Sequence, residues 1–364
     1  MTQESTMKLV PQRTLIIIAL CILFNSGCSS IGYYAQSISG QIGVLLNKKN
    51  ISNLINATDT NKQLREKLIE VQEILEFAHS TLNMPDNGSY LHYTDVKNNF
   101  VVWNVIAAPE FSLNSKRWCY LIVGCMNYRG YFNEDKATQY AASLQQEGWE
   151  VYVGGVTAYS TLGWFKDPLL NTIVNREDWE IARLLFHELA HQIVYIKDDT
   201  NFNEAFADSV SLIGLEIWLS TQSIEKKDRV MELIAHESEF TELTLATRDI
   251  LEELYQSGST KDELRIRKSE IIETLKKNII ERQLIWGEDK RFQSWVNNNI
   301  NNARLSLIST YRSLVPDFIY TYKNTGSDLS AFYTKIIEIS LCPPEERAIY
   351  LRRVTEQDFA CDDK

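Results

Sequence analysis

Two of the five histidines in this 364-residue chain stand four positions apart, in Phe186-His187-Glu188-Leu189-Ala190-His191. No other feature restricts the fold as much. On an α-helix, positions i and i+4 share a face, so a helical 187–191 aims both imidazoles at one point. A polar turn, Lys197-Asp198-Asp199-Thr200, then lets the chain reverse before Asn203-Glu204-Ala205-Phe206-Ala207-Asp208. The pattern predicts one helix from Asp178 to roughly Tyr195 and a second starting near Asn203. Folded back on each other, they would bring Glu204 across from the histidine pair.

Two imidazoles and one carboxylate are a ligand set for zinc, and they leave its fourth tetrahedral position open to water. Glu188 follows the first ligand, as in the HExxH zinc hydrolases, where it takes a proton from that water. Zinc lowers the pKa of the water and stabilises the oxyanion that forms on the substrate carbonyl. Asp208 lies one helical turn beyond Glu204 and is expected to accept the distal N–H of a ligand imidazole. Tyr195, one turn past His191, is the first candidate for a second electrophile. Tyr311 and His236 are the alternatives.

Composition narrows the class further. With 44% hydrophobic and 23% charged residues, the chain reads as globular, not disordered and not a multi-span membrane protein. Its net charge of −11 has the wrong sign for binding a phosphate backbone, so no nucleic-acid partner is expected. Lys8 and Arg13 precede an apolar run, Leu15 to Phe24, which ends in Asn25-Ser26-Gly27-Cys28. That is the layout of a secretory signal, too short for a comfortable membrane span. It resembles a bacterial lipobox, with Asn25 where Leu, Val or Ile is usual. The resemblance implies lipidation at Cys28 and, with Ser29 following, an outer-membrane anchor facing the periplasm. Four thiols then remain in an oxidising compartment. Cys119–Cys125 and Cys342–Cys361 are the local pairings, and buried free thiols are the alternative.

Along the mature chain, residues 29–41 read as a tether that docks, and Ile42 to Leu82 as a helical hairpin with its long helix capped at Asp59 or Thr60. β-Branched and aromatic runs at Val101–Ile106, Trp118–Val123 and Trp149–Tyr159 read as strands, with a helix over 134–147 between the last two. Gly154-Gly155 permits a bulge or a close approach. Everything after 220 reads as helical. The expected division is 1–27 signal peptide, 28–85 tether and hairpin, 86–220 catalytic core and 221–364 helical region.

The paired motifs resemble those of the gluzincin metallopeptidases, whose second motif is NExxSD or a relaxed form. Here Ala207 replaces the serine, and the gap between motifs is shorter than in thermolysin-like enzymes. More widely, the blocks GYYAQSISGQ (32–41), VVWNVIAAPEFSL (101–113), WCYLIVGCMNYRGYF (118–132), GWFKDPLLNT (163–172), LLFHELAHQIVYIKDDTNFNEAFADSV (184–210) and NNARL (301–305) resemble a bacterial lipoprotein family called putative aminopeptidases. The resemblance implies an α+β fold, predominantly α-helical, with a zincin-like sheet and active-site helices embedded between helical segments. It also implies one zinc ion and a peptide substrate. Glu110 is the candidate to hold a substrate α-amine. Arg129 is a candidate for a substrate carboxylate, with a structural salt bridge as its alternative. The segment Thr157–Gly163, including Tyr159, would line the cleft beside extended substrate. The competing reading is a non-catalytic envelope lipoprotein, an assembly or chaperone-like factor that keeps its zinc.

Overall fold

Asn, Ser, Thr and Asp side chains cap several of the helix starts in the computed structural model, which describes residues 33, 36, 37, 39, 40, 42–120, 124–158, 166–312 and 314–352. β1 (Lys49–Asn50) runs directly into α1 (Ile51–Asn56), where the Asn50 side chain accepts a hydrogen bond from Asn53 N. α2 (Lys62–Ser80) is capped by Asn61, later than Asp59 or Thr60, because its carboxamide oxygen reaches both Gln63 N and Leu64 N. Lys49 and Asn50 pair antiparallel with β2 (His92–Thr94), so a strand interrupts the expected helical hairpin. Gln36, upstream of β1, lies against β6: its Oε1 accepts from Phe132 N at 3.1 Å.

The expected strands form small sheets. β3 (Val102–Ala108) is the middle of one, and β4 (Trp118–Tyr120) pairs with β5 (Gly124–Met126) in a hairpin. β6 (Arg129–Tyr131) follows, then α3 (Glu134–Gln146) and β7 (Glu150–Val156). Both β6 and β7 lie antiparallel to β3, with Val105 opposite Arg129 on one side and Val153 on the other. Gly155 serves the close approach anticipated for it, since a Cβ there would stand 2.4 Å from the Phe100 ring. β8 (Leu169–Leu170) adds parallel to β2.

The rest is helical: α4 (Asn171–Val174), α5 (Asp178–Ala190), α6 (Thr200–Leu219), α7 (Ile224–Gln256), α8 (Lys261–Trp286), α9 (Gln293–Asn297), α10 (Asn302–Arg312), α11 (Val315–Asn324), α12 (Leu329–Ser340) and α13 (Pro344–Arg352). Among the described residues helix makes up 62% and strand 10%, an α+β composition that is predominantly helical.

α6 is the hub of the main core. Phe202, Ala205, Phe206, Val210 and Leu215 are all fully buried, and Phe206 packs on Phe318 of α11 and Phe332 of α12. Each such phenylalanine contributes roughly 1.5–3 kcal/mol by leaving water. Gly214 lets α6 lie close to its neighbours: a Cβ there would stand 2.8 Å from Leu82 and 3.0 Å from Phe186. The same core runs from Val44 to Leu351. A second core forms inside the long α7–α8 hairpin, around Phe240, Leu251, Leu275 and Ile279. Asn302 ties that hairpin to the end of β3. Its Nδ2 donates to the Pro109 and Glu110 carbonyls, its Oδ1 accepts from Tyr255, and its N–H donates to Glu150.

Candidate metal site

The helix carrying the histidines starts firmly and stops early. The Glu180 carboxylate reaches back to accept from Glu177 N–H at the start of α5. At the other end the helix stops at Ala190, short of the expected Tyr195, and leaves His191 as its C-cap. Gln192 N and Ile193 N bond to Leu189 O and Ala190 O in a tighter turn. The early stop lets the chain reverse within the short gap between motifs.

Asn203 secures the reversal. Its Oδ1 accepts from Ile196 N at 2.8 Å and its Nδ2 donates to Ile196 O at 2.7 Å, so one buried side chain satisfies both backbone groups of the incoming loop. Asp198 takes a positive φ of 69°, and Asp199 caps α6 by accepting from Phe202 N. α6 therefore starts at Thr200, three residues before the predicted position. Asp199 is in turn paired with Arg347 of α13 at 2.6 Å.

These two helices bring His187, His191 and Glu204 together, and they are the one group of this kind among the described residues, with ligand atoms all within 4.8 Å of one another. Glu204 Oε2 lies 3.4 Å from His187 Nε2 and 3.7 Å from His191 Nε2. Ligands about 2.0–2.1 Å from a tetrahedral zinc are spaced roughly 3.3 Å apart, so the Glu204 oxygen already stands within a few tenths of an ångström of that spacing from each imidazole. Burial pushes the His191 imidazole down to about 4, in the neutral form a metal requires. Burial acts on His187 in the same direction, but the hydrogen bond and charge of Glu204 outweigh it and raise that imidazole. Burial also lifts the Glu188 carboxyl to about 7; His187 opposes the shift and Glu204 and Asp167 add to it. A carboxyl balanced near neutrality can both accept and release a proton.

Other groups converge here. Asp208 Oδ1 accepts from Arg183 Nη2 at 3.2 Å, and its charge favours protonated His187. Burial and then Glu204 push the Tyr195 phenol up, so it remains an O–H donor. Tyr128 is a residue the sequence reading passed over, though its neighbour Arg129 was singled out. Burial, then Glu204, Tyr195 and Glu188, push its phenol well above its ordinary range. Tyr128 follows the β4–β5 hairpin, which leans on the loop between the two ligand helices. Cys125 N and Arg117 donate to Asp198, and Met126 Sδ lies against Tyr195 and Thr200. The Cys119–Cys125 disulfide closes that hairpin.

Several expected residues lie elsewhere. Glu110 is engaged by Arg265 at 2.6 and 3.0 Å near the start of α8, so its carboxylate is not brought to the trio. The Arg129 guanidinium lies over Tyr33 at 4.1 Å and Tyr140 at 4.7 Å, an aromatic sandwich that holds Tyr33 against the sheet, and it takes part in no ion pair among the described residues. His236 is paired with Asp289 and stacked on Trp286. Tyr159, Cys28, Cys361 and the Tyr311 side chain lie outside the described residues, while Cys342 is disulfide-bonded.

A family model described as "Putative aminopeptidase" matches residues 32–351. The chain belongs to that family. No curated protein and no solved structure matches it. The matched span runs from ahead of β1 into α13, and the histidine–glutamate trio lies inside it.

Proposed function

We propose that the chain is a zinc-dependent peptidase, an aminopeptidase in keeping with its family, with Glu188 as general base. The observation that carries this reading is the buried convergence of His187, His191 and Glu204, with Glu188 next to the first of them. Among the described residues no fourth His, Cys, Asp or Glu joins the group, which favours a catalytic over a closed structural site. When bound, zinc supplies a Lewis acid and lowers the pKa of the attacking water. Glu188 takes the proton from that water and delivers it to the leaving amine. Tyr195 and Tyr128, kept protonated by their surroundings, are the candidate O–H donors to the oxyanion that would form on the substrate carbonyl. The layout of residues 8–28 supports lipid anchoring at Cys28 and a site facing the periplasm.

The test is Glu188→Gln in the chain lacking residues 1–28, measured for zinc content and for cleavage of a peptide library. Zinc is retained at one ion per chain and cleavage falls by several orders of magnitude. Near-normal turnover in that variant refutes the mechanism.

A further inference from the structure

One helical turn from the histidine–glutamate contact, the same two helices are joined a second time. Arg183 precedes His187 by four residues on α5, and Asp208 follows Glu204 by four on α6. The first contact is His187 Nε2 to Glu204 Oε2 at 3.4 Å, and the second is Arg183 Nη2 to Asp208 Oδ1 at 3.2 Å. The two cross-links therefore lie side by side along the α5–α6 seam. A third helix completes the second one. Glu237 of α7 accepts from Arg183 Nη1 at 2.7 Å and Nη2 at 3.0 Å, a two-toothed grip that fixes the plane of the guanidinium. Glu237 is itself backed by Arg291 at 3.8 Å, and Arg291 is clamped on Asp289 at 2.7 Å. All three central side chains are largely buried, so solvent screens this network weakly.

We propose that Arg183 is a positioning residue for the metal site. It sets the register of α5 against α6 and holds Asp208 beside His187, with Glu237 locking it in place. The inference rests on the zinc reading of the trio and extends it to a residue that touches neither metal nor substrate. Lysine at 183 keeps the charge but loses the planar fork that contacts Asp208 and Glu237 together. Removing the charge leaves two buried carboxylates without their shared cation. The ligand atoms then lose their spacing, and a metal site feels such changes as affinity.

The experiment is zinc titration of the soluble chain against a chromophoric chelator, for wild type, Arg183→Lys, Arg183→Met, Asp208→Asn, Glu237→Gln and Arg183→Met/Asp208→Asn. Metal-free unfolding midpoints and far-UV circular dichroism are recorded for each. Wild type binds one zinc. Arg183→Met loses affinity by about 10–100-fold, Arg183→Lys recovers part of the loss, and Glu237→Gln loses less than Arg183→Met. The double variant loses less than the sum of its parts, because both changes act through one contact. A merely structural ion pair lowers the metal-free midpoint and leaves zinc affinity within twofold of wild type; that result overturns the proposal. Should Arg183→Met fail to fold, Arg183→Lys and Glu237→Gln decide, and unchanged affinity in both overturns it equally. A wild-type chain that binds no zinc overturns the metal reading and this proposal together.

Discussion

Asn203→Ala removes the side chain that closes the loop between the two ligand helices. Two hydrogen bonds go, at 2.8 and 2.7 Å, each worth about 1 kcal/mol net. The Ile196 N–H loses its partner, while its C=O keeps the Asp199 N–H at 3.3 Å. Ile196 is only half-buried, so water recovers part of the N–H bonding, and the residual penalty is at most about 1 kcal/mol. The expected loss is therefore about 2–3 kcal/mol. In a chain of this size that corresponds to a fall in Tm of about 4 °C. The assay is thermal unfolding in excess chelator, so that metal binding does not mask the effect. Asn203→Asp is the informative companion. It keeps an acceptor for Ile196 N but loses the donor to Ile196 O and puts a second negative charge next to Glu204, so it should lose at least half as much. An Asn203→Ala chain that melts within 1 °C of wild type, or an Asp variant that matches wild type, refutes the account of how the loop is held.

Three further outcomes follow from the structure. Gly214→Ala should destabilise by about 1–3 kcal/mol in denaturant titration, because its methyl meets Leu82 and the fully buried Phe186; an unchanged midpoint would mean the α5–α6 seam has slack. Burial pushes the Asp289 carboxyl up, but hydrogen bonds from the Arg291 side chain and backbone, and from His236, outweigh it and hold it at about 2. The stability it contributes is full above the ordinary carboxylate range and is lost as pH falls from about 4 to about 2, so the stability gap between wild type and Asp289→Asn should shrink across that window. Non-reducing peptide mapping should recover Cys119 joined to Cys125, and replacing both with serine should cost roughly 2 kcal/mol for so short a loop; separate peptides would contradict the hairpin staple.

The sequence shows the helix pair, the strands β3, β4 and β7 and the candidate metal trio because each depends on spacing within a few residues. It hides what depends on distant partners. Nothing near Arg183 announces that it grips Glu237 across 54 residues of chain. Asn203 reads as part of a motif, but its task is a backbone contact seven residues upstream, visible only once the loop has closed. The helix end at Ala190 is hidden for a related reason. Apolar residues continue past it, yet they serve the turn and the core, not another helical turn. Glu110 was chosen for its charge within a family block; the block owes its place to backbone carbonyls that Asn302 and Lys268 hold, while the carboxylate pairs outward with Arg265.

Arg347 lies near the far end of the matched span, and the carboxylate it neutralises caps the helix that carries Glu204. A ribosome making this chain thus delivers the counter-ion for that cap only after nearly all of the matched span has emerged. A change that displaces α13 therefore acts on the start of the helix that carries Glu204, far upstream in the sequence.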